Sequence, residues 1–165
     1  MKIILSLFLL FFLAGCENSK IVVTGNTAQE PILFEKGKVR CSDCQMIIED
    51  YPFSAQIATP SGKTYFFSDV GSFVKWHADK DFKGKEKIWV FSNDTKRWVN
   101  AKTAYYSIDD ETPMHYGFGA YEMKQNGFID YETMKIKMLR GENMTNPAYR
   151  QRILKRKLEG SETVR

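Results

Sequence analysis

Residues 53–59 (FSAQIAT) and 64–67 (TYFF) are two short runs rich in apolar, aromatic and β-branched residues. The turn sequence PSGK at 60–63 separates them, and together they predict a β-hairpin. Ser68 or Asp69 then stands where a helix cap is wanted. Val70, Phe73, Val74 and His77 follow at i, i+3, i+4 and i+7, one apolar face of a 3.6-residue period. Residues 87–91 (KIWVF) return to strand character, and Asn93–Asp94 opens a turn. The same order starts again with strands expected over 104–108 and 117–121, joined by a long hairpin loop over 109–116. A helix near 131–139 follows, with Asp130 as its cap and Gly141 as its stop. The pattern predicts an α+β fold built by internal duplication of a small strand–strand–helix–strand unit.

The ends of the chain read differently. Met1–Lys2 is a short positive start, and residues 3–13 are apolar apart from Ser6. Such a run is too short to span a hydrocarbon core of about 30 Å as a helix. Followed by Leu13, Ala14, Gly15 and Cys16, it has the form of a signal peptide ending in a lipobox, with Cys16 lipidated. The expectation is an exported lipoprotein held at a membrane surface. Residues 16–34, polar but for Ile21, Val22 and Val23, are expected to be the lipidated N-terminus and tether. The formal charge of +4 hints at nucleic acid, but its distribution argues against it. Residues 146–165 hold six basic side chains and two acidic ones, so the rest of the mature chain is close to neutral. The basic segment is expected to be a solvated, partly helical extension, with no nucleic-acid partner.

The chemistry concentrates in CSDCQM, residues 41–46. A thioredoxin-type pair needs its first cysteine at a helix N-terminus after a buried strand, and residues 34–40 are polar. Zinc usually takes four nitrogen or sulfur ligands, and only His77 and His115 could supplement the cysteines. His77 also lies on the apolar stripe, where a core histidine is the plainer reading. A structural disulfide would close a very small loop and constrain little. A soft-metal site remains. If the segment is extended, Cys44 and Met46 point to the same side, and thiolate with thioether selects Cu(I) over harder ions. Cys41 joins them only if the chain turns at Ser42–Asp43. Met114 and His115, in the loop ETPMHYG, are further candidate ligands; packing under the sheet is the alternative for Met114.

A lipobox, Cys44-Gln45-Met46 shortly after the tether, and Thr112-Pro113-Met114 before a glycine- and aromatic-rich strand resemble the NosL family. These are lipoprotein copper chaperones of nitrous oxide reductase. The resemblance covers roughly residues 38–139 and implies a fold with halves similar to organomercurial lyase. It implies Cu(I) bound by Cys44, Met46 and Met114, and transfer to the apo-reductase and its maturation machinery in the periplasm. Cys41 is a thiol that many members lack, and His115 stands where the family often has glycine; both are possible ligands. The organisation expected is a signal peptide over 1–15, the tether over 16–34, a first half over 35–100, a second over 101–141 and a basic extension over 142–165. The chain is expected to be a carrier and not an enzyme. A carrier for another copper or heavy-metal target such as a terminal oxidase, and a thiol–disulfide protein using Cys41 and Cys44, are the alternatives.

Overall fold

The computed structural model describes residues 20–162, so the expected signal peptide over 1–15 and the expected lipidation site Cys16 lie outside the described residues. The chain forms β1 (Val22–Val23), β2 (Ala55–Ala58), β3 (Thr64–Phe67), α1 (Val70–His77), β4 (Lys87–Phe91) and β5 (Trp98–Asn100). β6 (Tyr105–Tyr106), β7 (Ala120–Tyr121), α2 (Tyr131–Leu139) and α3 (Pro147–Glu162) follow. It is an α+β architecture. The first five strands make one antiparallel sheet in the order β1-β3-β2-β4-β5, and β6 pairs with β7 separately. The strand–strand–helix order does recur. In the first half α1 leads back into β4, whereas in the second α2 leads on to α3.

The central strands are buried on both faces, which is why they read as nearly unbroken apolar runs. Register puts Tyr65, Ile57 and Ile88 on one face with Phe67, Ala55 and Val90. That face receives α1, whose Val70, Phe73, Val74 and His77 are buried as the periodicity predicts. Trp76 of α1 sits 4.7 Å from the Tyr65 ring and 5.3 Å from Phe67. The opposite face carries Phe66, Gln56 and Trp89. Phe34, Tyr51, Phe91 and Trp98 cover part of it as an aromatic cluster. Each fully buried Phe or Ile here contributes about 1.5–3 kcal/mol over its exposed state.

Residues 20–34 do not lead away as a tether: 22–23 extend the sheet at its β3 edge, and 29–34 lie on this second face. β1 pairs with β3, and Phe34 is buried. The Gln56 amide donates to the Ile32 carbonyl (2.8 Å) and accepts from the Ile32 N–H (2.9 Å), standing in for a strand partner. The Trp89 indole donates to the Gln29 carbonyl. The two halves meet where α1 packs on α2, with Phe73 stacked on Tyr131 at 6.5 Å. The Asp130 carboxylate caps α2 through the Thr133 N–H, and Gly141 adopts φ +70° just past its end, as expected. The basic extension forms the long helix α3, capped by Asn146 and anchored by the buried side chains of Tyr149 and Ile153. Among the described residues no helix is long and apolar enough to cross a membrane.

Candidate metal centre

Residues 40–47 form a tight hairpin. Arg40 bridges Ile47 in antiparallel fashion, and the Cys41 N–H donates to the Met46 carbonyl at 2.8 Å. The Gln45 N–H donates back to the Cys41 carbonyl at 3.0 Å, closing one helix-like turn over 41–45. Gln45 leaves that turn at φ +64°. The segment is therefore not extended, and the side-by-side placing of residues 44 and 46 that an extended chain would give does not hold. The turn at 42–44 that Cys41 required is present. At i and i+3 of one turn, Cys41 and Cys44 share a side.

Cys41 is wholly buried and Cys44 half-buried, and both are free thiols. The hairpin is pinned to the sheet by the Ser42 N–H, which donates to the Phe66 carbonyl at 2.7 Å. Burial pushes the Cys41 thiol up. The backbone N–H groups of Cys44, Ser68 and Asp43 oppose this by hydrogen bonding to its sulfur, and a thiol–thiol hydrogen bond with Cys44 adds to the rise. The Cys44 Sγ is 3.7 Å from the Ser68 Oγ. Met46 is 42% exposed and lines a cavity of about 330 Å³ with Ile48, Pro52, Phe53, Ser68 and Pro113.

The loop carrying Met114 reaches the same place through Asp69. This fully buried carboxylate caps α1, its Oδ1 accepting from the Gly71 N–H at 2.8 Å. Its Oδ2 accepts from the Met114 N–H at 2.9 Å. Burial raises the Asp69 carboxyl, while the Thr112 hydroxyl and the N–H groups of Met114 and Gly71 hold it down. Met114 itself is half-buried. Ser68 and Asp69 thus touch the cysteine hairpin on one side and the Met114 loop on the other.

The two histidines lie apart from the thiols, His77 as the core residue that its place on the apolar stripe predicts. His115 is exposed at φ +58° and lines a separate cleft with Asp109, Asp110, Glu111, Met144 and Arg150. His77 lies eight residues along α1 from Asp69, about 12 Å at the helical rise. It is buried with Nε2 3.1 Å from the Glu86 carboxylate, and burial lowers its pKa with Glu86 opposing. Tyr116 follows Met114 in its loop, and its sequence position gave no signal of a role. Burial raises its phenol, with the charges of Asp43, Asp69, Cys44 and Cys41 adding to the rise. Its ring also packs on Gly71, where a Cβ would fall 2.4 Å from the Tyr116 Cδ2. Among the described residues no three His, Cys, Asp or Glu side chains gather as a metal site. What the arrangement offers is two thiols, with methionines on the flanking segments.

No family model matches the chain, and no curated protein matches it. Among solved structures it is similar to the copper chaperone NosL from Shewanella denitrificans. The identity is 16% and the TM-score 0.49, covering 65% of this chain and 87% of that one. A likeness of that size carries no functional argument.

Proposed function

We propose that this chain is a Cu(I) carrier, holding the ion on the thiolates of Cys41 and Cys44 with the Met46 and Met114 thioethers closing the site. The observation that carries the reading is the 40–47 hairpin, which turns two thiols to one side beside the loop that bears Met114. Thiolate and thioether are soft donors and select Cu(I), whereas zinc wants four nitrogen or sulfur ligands. Each thiol gives up its proton as the metal binds. The three N–H groups aimed at the Cys41 sulfur favour the thiolate once the metal has displaced that proton. A thioether carries no proton to lose and binds weakly enough to let go. Met46, largely at the surface, leaves a side from which an acceptor's thiols could approach. These properties suit a donor of copper and not an enzyme.

The resemblance of residues 44–46 and 112–114 to the NosL family supports a more specific reading. The acceptor would be apo nitrous oxide reductase in the periplasm, and a lipid on Cys16 would hold the carrier at the membrane. A second reading, thiol–disulfide exchange, is favoured by the contact between Cys41 and Cys44. Against it, the N-terminal thiol of the pair is wholly buried and raised in pKa, the reverse of an attacking cysteine.

Titration of the reduced form spanning 17–165 against a chromogenic Cu(I) chelator, run beside Zn(II), separates these. The carrier binds one Cu(I) far more tightly than Zn(II), and shows no disulfide reductase turnover. Equal retention of both metals sinks the copper reading. Turnover that disappears with either cysteine replaced by serine moves the function to the redox class.

A further inference from the structure

We propose that Asp69 is a positioning residue of this site, the latch that holds the Met114 loop against the cysteine hairpin. The proposal rests on the Cu(I) reading for its purpose, though not for its geometry. A helix cap alone does not call for a carboxylate in this place, since Ser and Asn cap as well as Asp. A carboxylate that is wholly buried is costly to desolvate, and such groups persist where their hydrogen bonds are made. The two oxygens of Asp69 do different work. Oδ1 serves α1 through Gly71, and Oδ2 serves a residue 45 positions later through the Met114 N–H.

The loop at the far end is braced to move as a unit. The His115 N–H donates to the Thr112 carbonyl at 2.9 Å, and the Gly117 N–H to the Thr112 Oγ1 at 3.2 Å. The Thr112 hydroxyl also bonds to the Asp69 carboxylate. On the other side, the residue before Asp69 faces the thiols: Ser68 has its Oγ 3.7 Å from the Cys44 Sγ and its N–H at the Cys41 sulfur. Two adjacent residues therefore fix the distance between the thiol pair and the methionine loop. Only an acceptor at both ends of the side chain can do this. In Asp69→Asn the amide oxygen can still cap Gly71, but the NH2 group then meets the Met114 N–H, donor against donor.

The test uses the metal-free reduced protein first. In Asp69→Asn the Gly71 amide stays protected from hydrogen exchange while the Met114 amide exchanges at least tenfold faster. Asp69→Ser, whose short hydroxyl caps α1 without reaching Met114, gives the same pattern should the asparagine variant not fold. Cu(I) affinity is then measured for Asp69→Asn, Met114→Ala and the double variant. If Asp69 acts through Met114, the asparagine variant loses affinity as Met114→Ala does, and the double variant loses no more than Met114→Ala alone. An unchanged Met114 amide overturns the latch, and so does a double variant whose loss is the product of the two single losses. A wild-type protein that binds no Cu(I), with the Met114 amide still released in Asp69→Asn, leaves the latch standing and sinks the copper reading instead.

Discussion

Gly71 shows how tightly single residues are held at the start of α1. Within a helix, alanine is ordinarily favoured over glycine by about 0.5–1 kcal/mol. Here the added methyl would sit 2.4 Å from the Tyr116 ring, so overpacking, about 1–3 kcal/mol, outweighs the helix gain. Gly71→Ala is therefore expected to destabilise the protein in a denaturant melt. At the other end of α1, burial lowers the His77 pKa below its ordinary value near 6.5, with Glu86 opposing. A histidine with a depressed folded pKa binds more protons when unfolded, so its contribution is intact above about pH 6.5 and is lost as pH falls. Asp69, raised by burial, acts in the opposite sense, so wild type alone does not isolate the histidine. The unfolding free energy of wild type minus that of His77→Gln, followed from pH 7.5 to 5, is expected to shrink steadily. A flat difference would mean that His77 titrates alike in both states.

At the scale of elements, the central sheet and both shorter helices were legible, the strands as short apolar and aromatic runs, α1 from its 3.6-residue stripe and α2 from its Asp130 cap and Gly141 stop. β3, β4 and α2 fall at the expected positions, and the α1 stripe is the buried one. β1 and β5 were not legible, since two or three residues carry no periodicity and are strands only by pairing with β3 and β4. Phe53, expected to begin β2, instead takes φ +65° in the turn before it. The site was half legible. The turn that brings Cys41 to Cys44 was a stated condition, but the left-handed Gln45 that ends it follows from the hairpin closing on Arg40 and Ile47. Asp69 reads as a cap from sequence, while its bond to Met114 spans 45 residues and leaves no local mark. Gln56 is the sharpest case, a polar residue wholly buried in β2 because the 29–34 segment lies on it. Gln56→Leu leaves the Ile32 N–H and carbonyl without their partner, at a cost of about 1–3 kcal/mol. Faster exchange of the Ile32 amide, with the Ala55 amide unchanged, would locate the loss in that segment.

For the whole molecule, the thiol hairpin, the start of α1 and the Met114 loop form one corner, and α3 packs elsewhere through Tyr149 and Ile153. Lys157 pairs with Asp109, so α3 steadies the base of the 109–117 loop without touching Asp69. Removing residues 147–165 is expected to lower the thermal midpoint while Cu(I) affinity stays within about threefold, well under the 1.4 kcal/mol that a tenfold change represents. A large loss of affinity on truncation would place the loop under α3's control. The central claim is that sulfur from two distant segments meets on one Cu(I). X-ray absorption of the protein loaded with one Cu(I) addresses it most directly. The account predicts a first shell of sulfur alone, losing one sulfur in Met114→Ala and collapsing in Cys44→Ser. A shell containing nitrogen or oxygen, or one unchanged in Cys44→Ser, would contradict it.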